Sequence, residues 1–320
     1  MQSLLDPALL FFVFGLAAGA LRSNLEIPAP ISRFLSLYLL MALGLKGGFA
    51  LAKSGLTAEV SLSLGAAVLL AVAVPALGYL LLRRFLNGFD AAAIAATYGS
   101  VSAVTFITAV QYLDSRGIAF GGHMAAAMAL MESPAIIMAV LLANVARQRS
   151  ATAARAPTPM GKLLHESLTD GAQLLLIGAM AVGLLTGASG EASMKPFAGD
   201  LFKGMLAFFL LDMGLLAARN MGSLRGQPPG LLAYALLAPL VHAALGLTLG
   251  AALGLSVGNT TLLMVLAASA SYIAVPAVIR HAIPEANPTL YFGMSLGLTF
   301  PLNILLGIPL YAAVAQRVLG

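Results

Sequence analysis

ASASYIAVP, from Ala268 to Pro276, sits inside an otherwise apolar run between Leu262 and Ile279 that is long enough to cross a bilayer. Two serines, a tyrosine and a proline at the centre of such a run are costly. Hydroxyls lose water there, and proline removes a backbone donor. Non-helical backbone is tolerated at that depth only where it is buried in protein or lines a cavity. The stretch therefore predicts a membrane helix that is broken midway, with the break serving a ligand.

The rest of the chain fits that setting. Hydrophobic residues make up 60% and charged residues 9% of the 320, against roughly 25% charged in soluble domains. Apolar runs of about 20 residues, enough to span a bilayer as a helix, recur along the sequence. The fold class expected is an all-α polytopic membrane protein. Ten spans are predicted, near 5–21, 34–52, 60–82, 91–112, 120–146, 167–187, 199–218, 230–254, 260–281 and 288–316. The first run, Pro7 to Leu21, has no basic residue before it and carries Asp6. It reads as a retained helix, since a signal peptide starts positive. The absence of cysteine excludes disulfides and thiolate metal sites.

The net charge of +5 points to topology, not to nucleic acid. With the N-terminus outside, the inner loops hold Arg22, Arg33, Arg83, Arg84, Arg147, Arg149, Arg155, Lys162, Arg219, Arg225 and Arg280. The outer side holds Lys53, Arg116, Lys195, Lys203 and Arg317. Eleven against five places both termini outside and the polar segment 147–165 in the cytoplasm. That segment separates a first five-helix unit, 1–146, from a second, 166–320.

The two units carry matching features in one order. Gly44 in span two matches Gly214 in span seven, and Pro75 matches Pro239. "GSVSAVTF" with Ser100 and Ser102 matches "ASASYIAVP" with Ser269 and Ser271, and Pro134 matches Pro301. The offset is roughly 165 to 170 positions throughout. An odd number of helices per unit inverts the second copy, which gives a 5+5 inverted-topology repeat with helices four and nine discontinuous.

Under that symmetry the two breaks meet near the midplane. Each second half-helix would start there with free N–H groups and partial positive charge, a setting for anions. Pro276 suits the first turn of a restarted helix. The expected anion cradle comprises Gly99, Ser100, Val101, Ser102, Thr105, Ser269, Ala270, Ser271 and Tyr272. Taken singly, each serine is as well explained as small-residue packing between helices. Two Ser-x-Ser elements at matched positions favour the cradle.

Three ionisable residues fall well inside spans: Lys46, Glu132 and Asp212. Such groups are costly in a membrane and mark function or pairing. Glu132 precedes Ser133 and Pro134, and Thr299 and Asn303 flank Pro301. These oxygens suit Na⁺, with a proton-carrying or neutral hydrogen-bonded Glu132 as alternatives. Lys46 and Asp212 are expected either to pair across one depth or to reach water separately. His123, His165, His242 and His281 lack metal spacing, and no catalytic constellation is visible. No cofactor, no transition metal and no enzymatic activity are expected.

"LGLKGGFAL" (43–51), "YGSVSAVTF" (98–106), "MALMESPAI" (128–136), "APLVHAALG" (238–246), "LAASASYIAVPAVIRHAIPEANPTLYFGMSLGLTFP" (266–301) and "IPLYAA" (308–313) together resemble the sodium-dependent bicarbonate transporter family over nearly the whole chain. The resemblance implies a secondary transporter importing bicarbonate with sodium. It implies a homotrimer in which a core domain of spans three to five and eight to ten moves against a gate domain of spans one, two, six and seven. It also implies substrate binding where spans four and nine cross and, in some members, a PII-like cytoplasmic regulator. This chain departs from cyanobacterial members at Tyr272 and Glu132, where they carry aspartate, and in its short linker. A symporter of small organic carboxylates is the alternative function; a channel or membrane enzyme ranks below both.

Overall fold

Glycines set how closely the first helices pack. Helix α1 (Pro7–Ala20) runs along α8 (Phe202–Met221), and α2 (Ala29–Ser54) runs along α7 (Gly171–Met194). A methyl group on Gly15 would lie 2.3 Å from the Leu211 carbonyl oxygen and 3.1 Å from the Gly214 Cα. One on Gly183 would lie 2.6 Å from the Leu45 oxygen and 3.1 Å from the Gly48 Cα. Only hydrogen fits at either seam, and close backbone approach is how membrane helices gain contact where apolar burial gives no advantage over lipid. Glycine also ends these elements. Gly55 has φ 69° after α2, and Gly187 interrupts α7 with φ 53° and ψ −136°.

The computed structural model describes residues 6–149, 165, 169–224 and 226–320. The linker expected over 147–165 falls almost wholly outside the described residues, as do Arg155, Lys162 and Arg225. Every regular element among the described residues is helical.

A second body packs beside the glycine-seamed one. It contains α3 (Ala58–Leu82), α4 (Gly88–Gly99), α5 (Ala103–Ser115), α6 (Met124–Arg149), α9 (Pro229–Ala252), α10 (Val257–Ala268), α11 (Ala274–Ala282) and α12 (Pro288–Leu319). Helix α12 includes π-helical turns at Gly293–Thr299 and Asn303–Gly307. The short helices α4 and α10 lie at its centre. Every residue from Asp90 to Gly99 is buried in α4, and every residue from Gly258 to Ala268 in α10. The alanines of α4 let α3 and α6 close on both sides.

Each of these two inner helices pins the start of a long helix in the other half. Asp90 Oδ1 accepts from the Asn287 N–H at 2.6 Å, ahead of α12. Asn259 Oδ1 accepts from the Gly121 N–H at 2.7 Å, ahead of α6. The N–H groups at a helix start lack intrahelical partners, so such bonds fix where the long helices begin. Beside Gly121, burial holds the His123 imidazole below its ordinary pKa range, while Glu59 pulls the other way.

Seven stretches are long and apolar enough to cross a membrane: Ala29–Ser54, Ala58–Leu82, Gly88–Ser115, Met124–Gln148, Gly171–Met221, Pro229–Ala252 and Pro288–Leu319. The sequence expects ten. Three differences account for the count. Pro7–Ala20 has only 14 residues. Gly171–Met221 runs as one near-continuous helical stretch through the Gly187 kink, a π-turn and a turn at Leu201. The ninth expected span is split into α10 and α11, each too short alone.

The seams generate a test. A Cβ on Gly48 would lie 2.1 Å from the Met180 oxygen and 2.7 Å from the Leu184 nitrogen, whereas one on Gly178 meets nothing within 4 Å. Gly48→Leu should cost about 3 kcal/mol or more and remove the monodisperse peak in detergent size exclusion. Gly178→Ala should behave as wild type.

Candidate functional site

The two helix breaks lie against each other and bond reciprocally. α4 stops at Gly99, whose absent side chain leaves room for the Pro75 ring of α3; an added Cβ would be 2.5 Å from two ring carbons. Ser100 and Val101 follow in the gap, and Ser102 caps α5. In the second half α10 stops at Ala268, Ser269 to Ile273 form the gap, and α11 starts at Ala274 with Pro276 in its first turn. The Ser102 N–H donates to Ser269 Oγ at 3.1 Å, and the Ser271 N–H donates to the Thr97 oxygen at 2.8 Å. Ser269 Oγ donates onward to the Leu266 oxygen, and Asn303 Nδ2 donates to the Ala268 oxygen at 2.9 Å.

The half-helix starts are only partly satisfied. Ser102 Oγ accepts from the Thr105 N–H at 3.2 Å, and Ser271 Oγ accepts from the Val275 N–H at 3.3 Å. The first amides of α5, at Ala103 and Val104, have no intrahelical acceptor. Ser100 Oγ and Thr105 Oγ1 are buried and have no hydrogen-bond partner. Unpaired buried hydroxyls are uncommon in folded proteins and are often explained by a ligand or water.

A cavity of about 60 Å³ opens at this crossing. It has room for a few waters, or a solute of a few heavy atoms. Ser102, Ser271, Tyr272, Val101, Glu132 and Gln173 line it. Tyr272 is buried, with its hydroxyl 3.6 Å from Met213 Sδ on α8 and facing Ser102, and its ring edge-on to Phe300 at 5.3 Å. Ala270 is buried in the second gap. Gln173 Nε2 on α7 donates to Glu132 Oε2 on α6. Among the described residues no lysine, arginine or histidine lines this cavity.

The structure regroups the expected residues. Of the expected anion cradle, Val101, Ser102, Ser271 and Tyr272 line the cavity together with Glu132, while Gly99, Ser100, Thr105, Ser269 and Ala270 do not, and neither do Thr299 and Asn303. Thr299 Oγ1 lies 2.6 Å from the Tyr98 hydroxyl and donates to the Ala235 oxygen at 2.8 Å, and Asn303 Oδ1 accepts from the Tyr311 hydroxyl at 2.9 Å. Their polar atoms serve to bind α12 to α4, α9 and α10. Ser133 sits half-buried beside Glu132 and outside the cavity lining.

The pairing of Lys46 with Asp212 is not what the structure shows. Lys46 Nζ lies 3.8 Å from Asp114 Oδ2 and 4.3 Å from the centre of the Phe202 ring. Asp212 lies ten residues beyond Phe202 on α8, roughly 15 Å along the axis, beside Ser32 and Arg219. The error was one of register. The sequence expectation matched Gly44 with Gly214; in the structure Gly48 packs on Gly183 and Gly214 on Gly15. An inverted repeat that matched these two seams would carry Lys46 onto Asp212 and put the two charges on opposite sides of the midplane.

Two site residues escaped the sequence. Gln173 is a lone amide near the start of a span, and nothing in the linear pattern joins it to Glu132. Asp114 was placed in a loop, because a break inside the fourth span extends its helical stretch to Ser115.

The sequence model of the family described as the Na⁺-dependent bicarbonate transporter superfamily matches residues 7–316, and the chain belongs to that superfamily. It is a membrane transporter and not an enzyme. Curated proteins give no match to the chain.

Two neighbouring serines should separate by stability. Ser102→Ala removes the α5 cap and should cost about 1 kcal/mol, seen as a lower thermal midpoint in detergent. Ser100→Ala removes a hydroxyl with no protein partner and should leave the midpoint at or above wild type. A lowered midpoint for Ser100→Ala would show that its hydroxyl is structurally bonded.

Proposed function

We propose that the crossing cavity binds one bicarbonate ion together with Na⁺, and that this pair is carried inward by movement of the core body against the glycine-seamed body. The observation that carries the proposal is the composition of the cavity: hydroxyl donors from both helix breaks beside the Glu132 carboxylate, with no basic side chain. An anion bound there with ionised Glu132 is repelled by it, by about 3 kcal/mol at roughly 6 Å for an effective dielectric constant of 20. A cation removes that cost. Glu132 is thus a coupling residue: it makes anion binding depend on Na⁺. The proposed cation shell adds Ser133, Thr299 and Asn303 to Glu132, with Thr299 and Asn303 exchanging their present hydrogen bonds for the ion as the core moves.

The cradle for the anion is Gly99, Ser100, Val101, Ser102, Thr105, Ser269, Ala270, Ser271 and Tyr272. The small cavity favours bicarbonate over larger carboxylates. Two matched glycine seams, two matched breaks and two reciprocal pins support an inverted repeat of units 1–146 and 166–320 joined by the segment 147–165. In that arrangement Pro7–Ala20, the two arms of Gly171–Met221 and the α10–α11 pair complete ten crossings. Polar contacts that link the bodies among the described residues include Gln173–Glu132, Tyr272–Met213 and Lys46–Asp114. An elevator-like step breaks all three. The assembly proposed is a homotrimer in a bacterial inner membrane with both termini outside, and a PII-like protein is a candidate partner on the cytoplasmic face.

Purified protein in liposomes should take up labelled bicarbonate under an inward Na⁺ gradient and lose most of that uptake when K⁺ replaces Na⁺. Ser271→Leu should abolish uptake in folded protein. Glu132→Gln should raise the Na⁺ concentration for half-maximal uptake. A flattened pH profile with an unchanged Na⁺ response would instead make Glu132 a proton carrier. Strong competition by acetate or lactate would favour an organic-carboxylate symporter.

A further inference from the structure

A second cavity, of about 860 Å³, lies between the two bodies where α2 faces α5. Its charged lining is Lys46, Lys53, Lys195, Asp114 and Glu191, an excess of one positive charge. Lys53 is held by Glu191 at 2.6 Å, with both residues in the glycine-seamed body. Lys46 is held differently. Its ammonium is 3.8 Å from Asp114, beyond hydrogen-bonding distance, and its other neighbour is the face of Phe202 at 4.3 Å. Three N–H donors on this group have no acceptor at hydrogen-bonding distance among the described residues.

Position adds to this. Phe106, Val110 and Asp114 of α5 all line the cavity, so its wall follows α5 down towards Ser102. The distance from Asp114 to Ser102 along the axis is roughly 18 Å. Lys46 and Lys53 are the cavity-lining cations on the same helix as Ser36 and Leu40, which line the small cavity at the crossing, and Lys46 is the nearer of the two to them along that helix. A lysine stem is flexible and carries a compact charge. Lys46 can exchange a weakly held carboxylate for an arriving anion.

We infer that Lys46 is a specificity-determining residue of this transporter: a docking point that captures the small anion in the outer vestibule and competes with Asp114 for it before the anion reaches the crossing. This rests on the proposed anion import and assigns the residue that selects for charge at its entrance. Asp114 keeps the vestibule from retaining anions, because it returns to Lys46 once the anion moves on. The two partners therefore act in opposite directions on capture. A purely structural ion pair would make both act in the same direction.

The test uses initial rates of labelled bicarbonate uptake into liposomes at fixed Na⁺ gradient and fixed ionic strength. Lys46→Met should raise KM for bicarbonate by on the order of tenfold, the low end for electrostatic steering, with little change in maximal rate. Lys46→Arg should restore KM, and Asp114→Asn should lower it below wild type. Shifts of KM in the same direction for Lys46→Met and Asp114→Asn would overturn the inference, as would a change confined to maximal rate. Should Lys46→Met not fold, Asp114→Asn decides alone, and a KM at or above wild type rejects the role. If wild-type protein shows no Na⁺-dependent bicarbonate uptake, the proposed function fails separately. Thermal stabilisation by added bicarbonate in detergent then decides the docking role: loss of its concentration dependence in Lys46→Met supports it, and an unchanged midpoint rejects it.

Discussion

The structure depends on how backbone groups are satisfied where two helices stop inside the membrane. An unpaired N–H or carbonyl in that setting costs several kcal/mol, and two breaks side by side present many of them. Each break answers part of the other's need. Ser102 and Ser271 donate across the gap, Ser269 both accepts and donates, and Asn303 reaches in from α12 to close the end of α10. What the breaks leave unmet is concentrated at one place, the first amides of α5 and the hydroxyls of Ser100 and Thr105. The solution that permits irregular backbone also gathers the spare donors in one region of the core.

The two bodies meet this constraint with different materials. One is joined by glycine seams in which backbone touches backbone, and its helices leave little room to shift. The other is filled with alanine at its centre and held by side-chain bonds that reach between halves, such as Asp90 to Asn287 and Asn259 to Gly121. Between them the described polar contacts are few and include the long Lys46–Asp114 pair. An interface of this kind is easier to rearrange than either interior, because each body keeps its own hydrogen bonds when the boundary changes.

Much of this was legible in the chain. The breaks were readable because hydroxyls and proline at membrane depth are costly, so Ser100, Ser102, Ser269 and Ser271 marked their own location. Glu132 was readable for the same reason. Partner choice was not. Pairing Lys46 with Asp212 required the register between two helices, and among repeated Gly and Leu residues a four-residue slip, from Gly48 to Gly44, leaves the pattern almost unchanged. Backbone contacts fix that register, since only one pairing puts glycine against glycine at both seams. Thr299 and Asn303 lie outside the cavity lining, at π-turns of α12 that re-aim side chains relative to a regular helix, which linear spacing does not reveal.

The two breaks offer Ser-x-Ser elements that are nearly interchangeable, and a site built from them alone would hold a small planar ion equally well in two poses. Their surroundings differ. Ser102 is the cap residue of its half-helix, whereas α11 starts at Ala274 with Ser271 reaching the Val275 N–H from further back, Tyr272 lies edge-on to Phe300, and Glu132 lines the cavity from α6. These one-sided groups lift the degeneracy. In the proposed cradle a bicarbonate ion would keep one orientation, with its hydroxyl and its charged oxygens meeting different partners. Such a cradle can tell a hydrogen-carrying anion from one of similar size that has no proton to donate.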